Sequence, residues 1–147
     1  TPIKSSAASD VYKRQVPISI KLEHELSLLD EQSKQEFKQS LGIDYTGLDI
    51  VIKSIFKLLN LSTYFTCGPE EIHAWIFKNG MNAVECSGII HTDFMKGFIK
   101  AEVISYDDLV ACEGELKAKE KGKMRLEGKT YLMQDGDICH FKFNVTK

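Results

Sequence analysis

The sequence has no apolar run approaching the 18 or more residues that a bilayer span requires, so no membrane-spanning helix is expected. Its first fifteen residues, TPIKSSAASDVYKRQ, contain no hydrophobic segment of the kind a secretory signal needs. Cysteine is sparse: Cys67, Cys86, Cys112 and Cys139 lie far apart, with no C-x-x-C pair and no histidine at zinc-site spacing. That pattern predicts neither a metal centre nor a disulfide framework, but four reduced thiols acting as small apolar residues. Charge of one sign is not in excess either. The formal net charge of −2 gives no global field toward nucleic acid or anionic lipid, so a basic site has to be local. A cytoplasmic protein without a membrane partner is the expectation.

What is present is ordinary globular material. At 147 residues, 43% hydrophobic and 27% charged, the chain can bury roughly 70% of its unfolded surface around one core. Residues 1–15 show neither helical nor strand periodicity and read as a disordered or non-native leader. Val16-Pro-Ile-Ser-Ile20 is β-branched and predicts a short strand, which Pro17 confines to a strand start or an edge. Leu22, Leu26 and Leu29 then recur at helical spacing. Ser33-Lys-Gln-Glu36 has the form of a capping box opening a helix that carries Phe37 and Leu41 and stops at Gly42. A further helix is expected from about Gly47 to Asn60, with Leu48, Ile52, Ile55 and Leu59 on one stripe. A stripe that wide has to pack against something.

From Leu61 the texture changes. Thr63–Thr66 and Glu71–Phe77 are rich in β-branched and aromatic residues and are split by Cys67-Gly-Pro69, a hairpin pattern. A short helix closed by Gly88, a half-buried strand over Phe98–Ile104, and a helix over Tyr106–Cys112 follow. Glu115–Lys121 reads as a solvated helix or loop. Lys129–Met133 and Ile138–Phe143 flank the turn Gln134-Asp-Gly-Asp137 as a second hairpin. The pattern therefore predicts a helical region to about Asn60, then an α+β region of roughly 85 residues.

Few short motifs survive inspection. Gly128-Lys-Thr130 suggests a phosphate loop, but position 123, where the first glycine belongs, is Lys. The stretch also precedes a β-type run instead of opening a helix, so it reads as a surface turn. Asp44-Tyr-Thr-Gly47 matches the D-x-x-G of switch-type magnesium sites but falls between two helices. Cys86, His91 and Asp93 form a thiol-triad composition; the simpler reading is a buried cysteine beside a turn that Asp93 caps. His140 is expected to pack across strands or sit at the surface. The charge feature with most substance is Lys117, Lys119, Lys121, Lys123, Arg125 and Lys129, with Lys96 and Lys100 as possible additions. Glu113, Glu115, Glu120 and Glu127 interleave with it, as on a solvated face.

A longer ordered pattern carries more information. Tyr64-Phe-Thr-Cys-Gly68, Ala74-Trp75, Ile90-His-Thr-Asp-Phe94, Lys96-Gly-Phe98, Ala101-Glu-Val103 and Tyr106-Asp-Asp108 occur in sequence. Gly122-Lys-Met-Arg125, Glu127-Gly-Lys129, Gln134-Asp-Gly-Asp137 and Phe141-Lys-Phe-Asn-Val145 complete the series. Together they resemble the C-terminal TGS domain of the Obg-like ATPases, the YchF-type branch of the translation-factor GTPases. The resemblance implies a ubiquitin-like β-grasp fold for residues 61–147, preceded over residues 16–60 by a helical remnant of an α/β P-loop nucleotide-binding domain. It carries Ser19 and Ile20 onto a position that contacts the nucleotide base, although Ile20 stands where the family has Ala or Gly. His73 likewise replaces a usual Arg, and Cys86-Ser87 a pair of alanines.

By the same resemblance the whole protein hydrolyses ATP, and often GTP, with magnesium, and associates with ribosomes or RNA. The phosphate loop, both switches and the base-recognition motif are expected upstream of position 16, in a P-loop domain that this piece partners. For the piece itself the expectation is no catalytic residue, no metal ligand and no bound cofactor, with Lys96, Lys117, Lys119, Lys121, Lys123 and Arg125 as candidate RNA or ribosome contacts. A free-standing RNA-binding adaptor without nucleotide chemistry is the alternative, and a small thiol or metal enzyme a third.

Overall fold

Capping, more than hydrophobic burial, defines the first helices of the computed structural model, which describes residues 15–68 and 71–144. The chain divides into two units, Thr1–Lys57 and Leu58–Lys147. Residues 15–19 are not a strand, contrary to the sequence expectation; helix α1 spans Ile20–Ser27. A strand needs a neighbouring ladder, and this run forms none among the described residues. Instead Ser19 takes an extended conformation and its hydroxyl accepts from the Leu22 amide, capping α1.

Helix α2 (Glu31–Leu41) has its N-cap three residues before the expected one. Asp30 is its N-cap and accepts from the Ser33 amide at 2.9 Å, with the Ser33 hydroxyl on its second oxygen. An ionised carboxylate at this position satisfies an orphan amide and faces the positive end of the helix, so it displaces Ser33 from the capping role. Gly42 ends α2 at φ 64°, as its place in the sequence suggests. Helix α3 (Gly47–Leu59) starts with a reciprocal bond pair: Thr46 donates to Asp49, and the Asp49 amide donates to the Thr46 hydroxyl. The stripe residues Leu48, Ile52, Ile55 and Leu59 are all exposed.

The second unit is a mixed α+β structure built on a five-stranded sheet. Strands β1 (Leu61–Cys67) and β2 (Ile72–Lys78) form the expected hairpin, in full register from Leu61 opposite Lys78 to Cys67 opposite Ile72. Helices α4 (Ala83–Ile90) and α5 (Thr92–Gly97) lead to β3 (Phe98–Ser105), and α6 (Tyr106–Ala111) and α7 (Glu115–Glu120) lead to β4 (Arg125–Glu127) and β5 (Asp137–Phe143). The order across the sheet is β2-β1-β5-β3-β4, so the last strand lies parallel beside the first and antiparallel to β3. The core gathers Tyr64, Phe77, Phe98, Val103 and Cys139 under Ala83 and Cys86 of α4. Tyr64 lends its phenol hydrogen to the Cys86 carbonyl at 2.8 Å, which ties the first strand to that helix. A smaller cluster of Ile104, Cys112 and Ala118 packs with Leu109 and Met124.

Three expectations fail here. The second hairpin does not form: residues 129–133 are not a strand, and β5 pairs instead with β1 and β3. The preceding segment bonds elsewhere, with Ala83 N donating to Tyr131 O and Met133 N to Met81 O. Gly88 does not close α4 but lies within it, where a Cβ would approach Met95 Sδ to 3.0 Å. His91, not Asp93, caps α5, accepting from the Asp93 amide at 3.2 Å.

Candidate functional site

In the first unit the resemblance nominated Ser19 and Ile20. Both are exposed, and Ile20 keeps 82% of its accessible surface. The Ser19 hydroxyl is engaged with the Leu22 amide at 3.4 Å. The amides of the first turn, as in any helix, have no intrahelical acceptor and can donate to an outside carbonyl oxygen. Lys21, in the same turn, is exposed, with its ammonium 3.9 Å from Glu25.

The D-x-x-G segment is occupied by structural bonds. Gly47 N donates to Glu23 at 2.6 Å, and the Asp49 carboxylate takes both the amide and hydroxyl of Thr46, which hold it below its ordinary range. Beside it lies an open cavity of about 370 Å³ lined by Lys38, Asp44, Tyr45, Asp49, Ile52 and Lys53. The Lys53 ammonium sits 3.3 Å from the centre of the Tyr45 ring. Two cations face two anions there, so the cavity has no net preference for a charged ligand.

In the second unit the lysine-rich segment separates into two kinds of residue. Lys117 pairs with Glu113 at 2.6 Å and Lys123 with Asp108 at 3.0 Å, the latter contact holding the Asp108 carboxyl below its usual range. Arg125 is drawn toward Asp137, Glu127 and the Tyr131 hydroxyl. These three side chains hold α7, β4 and the arch before β5 in place. Lys96, Lys119 and Lys121 are exposed and have no ion pair among the described residues. The interleaved glutamates did not announce this split: Glu113 meets Lys117 four residues on, but Glu115 meets His140 and not Lys119, and Lys123 meets Asp108.

The thiol-triad composition does not assemble. Cys86 is fully buried, and burial, with Glu85 next, pushes its thiol up to about 12. His91 is spent on capping α5, with Asp93 3.6 Å away at the surface. His140 lies on β5 and meets Glu115 of α7 at 2.6 Å, a contact between strand and helix. Among the described residues, no helix is long and apolar enough to cross a membrane.

Comparison with known proteins gives a consistent picture. A family model described as YchF-GTPase_C, "Protein of unknown function (DUF933)", matches residues 61–144. The chain is 53% identical over 130 residues to the ribosome-binding ATPase YchF of Bacillus subtilis, covering 88% of this chain and 36% of that protein. Its identity to the Pasteurella multocida protein of the same name is 54%, with the same coverage. It is also similar to the solved YchF GTPase of Schizosaccharomyces pombe, with a TM-score of 0.74 and 36% identity, over 86% of this chain and 33% of that one. The chain thus spans about a third of the length of the relatives it matches.

Proposed function

The chain belongs to the YchF-GTPase C-terminal family, and on that premise we propose that it is the C-terminal, interaction end of a ribosome-associated nucleotide hydrolase. The ordered match over residues 61–144, with relatives named as ribosome-binding ATPases, is the observation that carries this reading. Residues 61–147 form a TGS domain of β-grasp type. Support for that name comes from the N-terminal hairpin, the α4 crossover and the insertion of β5 between β1 and β3. Residues 16–60 form the end of the nucleotide-binding domain, with Ser19 and Ile20 beside the base.

ATP or GTP with magnesium is the substrate of the whole protein. Phosphoryl transfer requires a phosphate cradle and a positioned metal together, and both belong to the P-loop part of the relatives. In this chain the first turn of α1 would orient the base through backbone amides. The second unit would contact the ribosome, through RNA, with Lys96, Lys119 and Lys121 as the cations free to meet phosphate. Lys117, Lys123 and Arg125 contribute by holding the surface that presents them.

The test is co-sedimentation with ribosomes over a range of salt. The double variant Lys119→Glu with Lys121→Glu is expected to weaken binding and to flatten its salt dependence by about two phosphate contacts. Equal binding by wild type and variant rejects the patch. Turnover of ATP by the purified chain, above that of a mock preparation, rejects the assignment of chemistry to the P-loop part. A free-standing RNA-binding adaptor would bind RNA and leave ribosomes unoccupied in the same assay.

A further inference from the structure

The sheet has two edges that differ sharply. At one end, β4 has three residues, two of them charged, Arg125 and Glu127. A short charged strand resists pairing with another chain. At the other end, β2 has seven residues, and no Asp, Glu, Lys or Arg occurs in it before Lys78. On one face it contributes Trp75 and the buried Phe77 to the core region. On the opposite face Ile72, Ala74 and Ile76 alternate, and Ile72 and Ile76 keep 73% and 52% of their surface. A strand whose one Asp, Glu, Lys or Arg is its terminal Lys78 is closer in composition to a central strand, yet β2 occupies an edge.

We infer that β2 continues the sheet by pairing antiparallel with β2 of a second copy of this chain, with Ala74 on the two-fold axis. Three features of the strand favour a copy of itself. The outward residues read Ile-Ala-Ile in either direction, so Ile72 falls opposite the partner's Ile76 and Ala74 opposite the partner's Ala74. On the inner face His73, whose ring lies tilted against Trp75 with centres 4.1 Å apart, falls opposite the partner's Trp75. The strand is also bounded by Glu71 at its start and Lys78 at its end, both exposed. Antiparallel pairing sets the acidic end of each copy beside the basic end of the other, whereas parallel pairing would set like charges together. The contact is isologous and closes, as a two-fold dimer requires.

Sedimentation equilibrium of the full chain over roughly a hundredfold range of concentration tests this. The weight-average mass should rise from 16.6 kDa toward twice that value. Ala74→Lys places two ammonium groups opposite each other on the axis and should weaken association about tenfold. Ala74 is exposed, so the variant should keep its circular dichroism. Amides of residues 72–78 should exchange more slowly in concentrated wild-type samples, and this protection should vanish in the variant. A monomer at every concentration overturns the proposal. So does a dimer untouched by Ala74→Lys, or one abolished instead by Ile52→Lys, which would assign the association to the exposed stripe of α3. Neither result bears on ribosome binding by Lys119 and Lys121.

Discussion

Tyr131 donates its phenol hydrogen to the Asp137 carboxylate at 2.8 Å, across an arch whose ends a hairpin would have zipped together. The same carboxylate accepts from the Gln134 amide at 2.9 Å and faces Arg125 at 3.4 Å, while only 1% of Asp137 is exposed. A buried carboxylate with three donors is stable only while they remain. Asp137→Asn turns an amide nitrogen toward one or more of those donors and is expected to cost about 3 kcal/mol. Tyr131→Phe should cost about 1 kcal/mol. Urea unfolding of the singles and the double should show a sub-additive sum, since both changes remove the same bond.

This arch also shows where the sequence was readable. The first hairpin was legible because its two strands are adjacent, rich in β-branched and aromatic residues, and separated by Gly68 and Pro69. The stretch Lys129–Met133 has similar local chemistry, yet its backbone bonds go to Met81 and Ala83, some fifty residues away. Strand preference is local, but strand pairing is tertiary, and β5 is claimed by β1 and β3. The same distinction separates Gly42 from Gly88. Gly42 needs a left-handed backbone, which a helix end signals in sequence; Gly88 answers to the side chain of Met95, which no neighbouring residue announces. Of the candidate site, the lysines were visible as a cluster, but the acid each one meets across the fold, as Lys123 meets Asp108, was not.

Gly97 is a sharper case of close approach. Its carbonyl accepts from the Asn144 amide at 2.9 Å, the Phe94 and Phe143 rings stack at 3.8 Å beside it, and a Cβ would overlap the Asn144 carbonyl. Because the obstacle is backbone, Gly97→Ala should destabilise by about 3 kcal/mol. Gly128→Ala, where a Cβ meets open space, should stay within about 0.5 kcal/mol of wild type. Thermal melts of the two variants make the comparison, and equal midpoints would contradict the close packing of α5 against the end of β5.

The cap of α2 separates Asp30 from Ser33 as the residue that starts the helix. The Ser33 amide and hydroxyl hold the Asp30 carboxyl below its usual range, so the cap persists in mild acid. Asp30→Ala should lower amide protection over the first turn of Glu31–Leu41 more than Ser33→Ala does, measured by hydrogen exchange. Protonation imitates the first substitution: the cap's contribution is full above the ordinary aspartate range and fades as pH falls through the lowered value.

Alkali should act through buried groups of the second unit. Burial raises the Cys86 thiol to about 12, and the Tyr131 phenol, buried and bonded to Asp137, also rises to about 12. Burial raises Cys139 further still, with Asp137 adding to it. In each case the folded form holds its proton more tightly than the unfolded chain, which ionises from about pH 8.5 for thiols. The stability these groups contribute is therefore complete below that pH and declines as pH climbs toward 12. Urea midpoints should be flat near neutrality and fall progressively above pH 8.5, and Tyr131→Phe should soften the upper part of that fall. Thiol reagents at pH 8 should reach the half-buried Cys67 first and Cys86, Cys112 and Cys139 only on unfolding. Rapid native-state modification of Cys86 would mean that α4 opens from the sheet far more readily than its buried contacts and the Tyr64 bond allow.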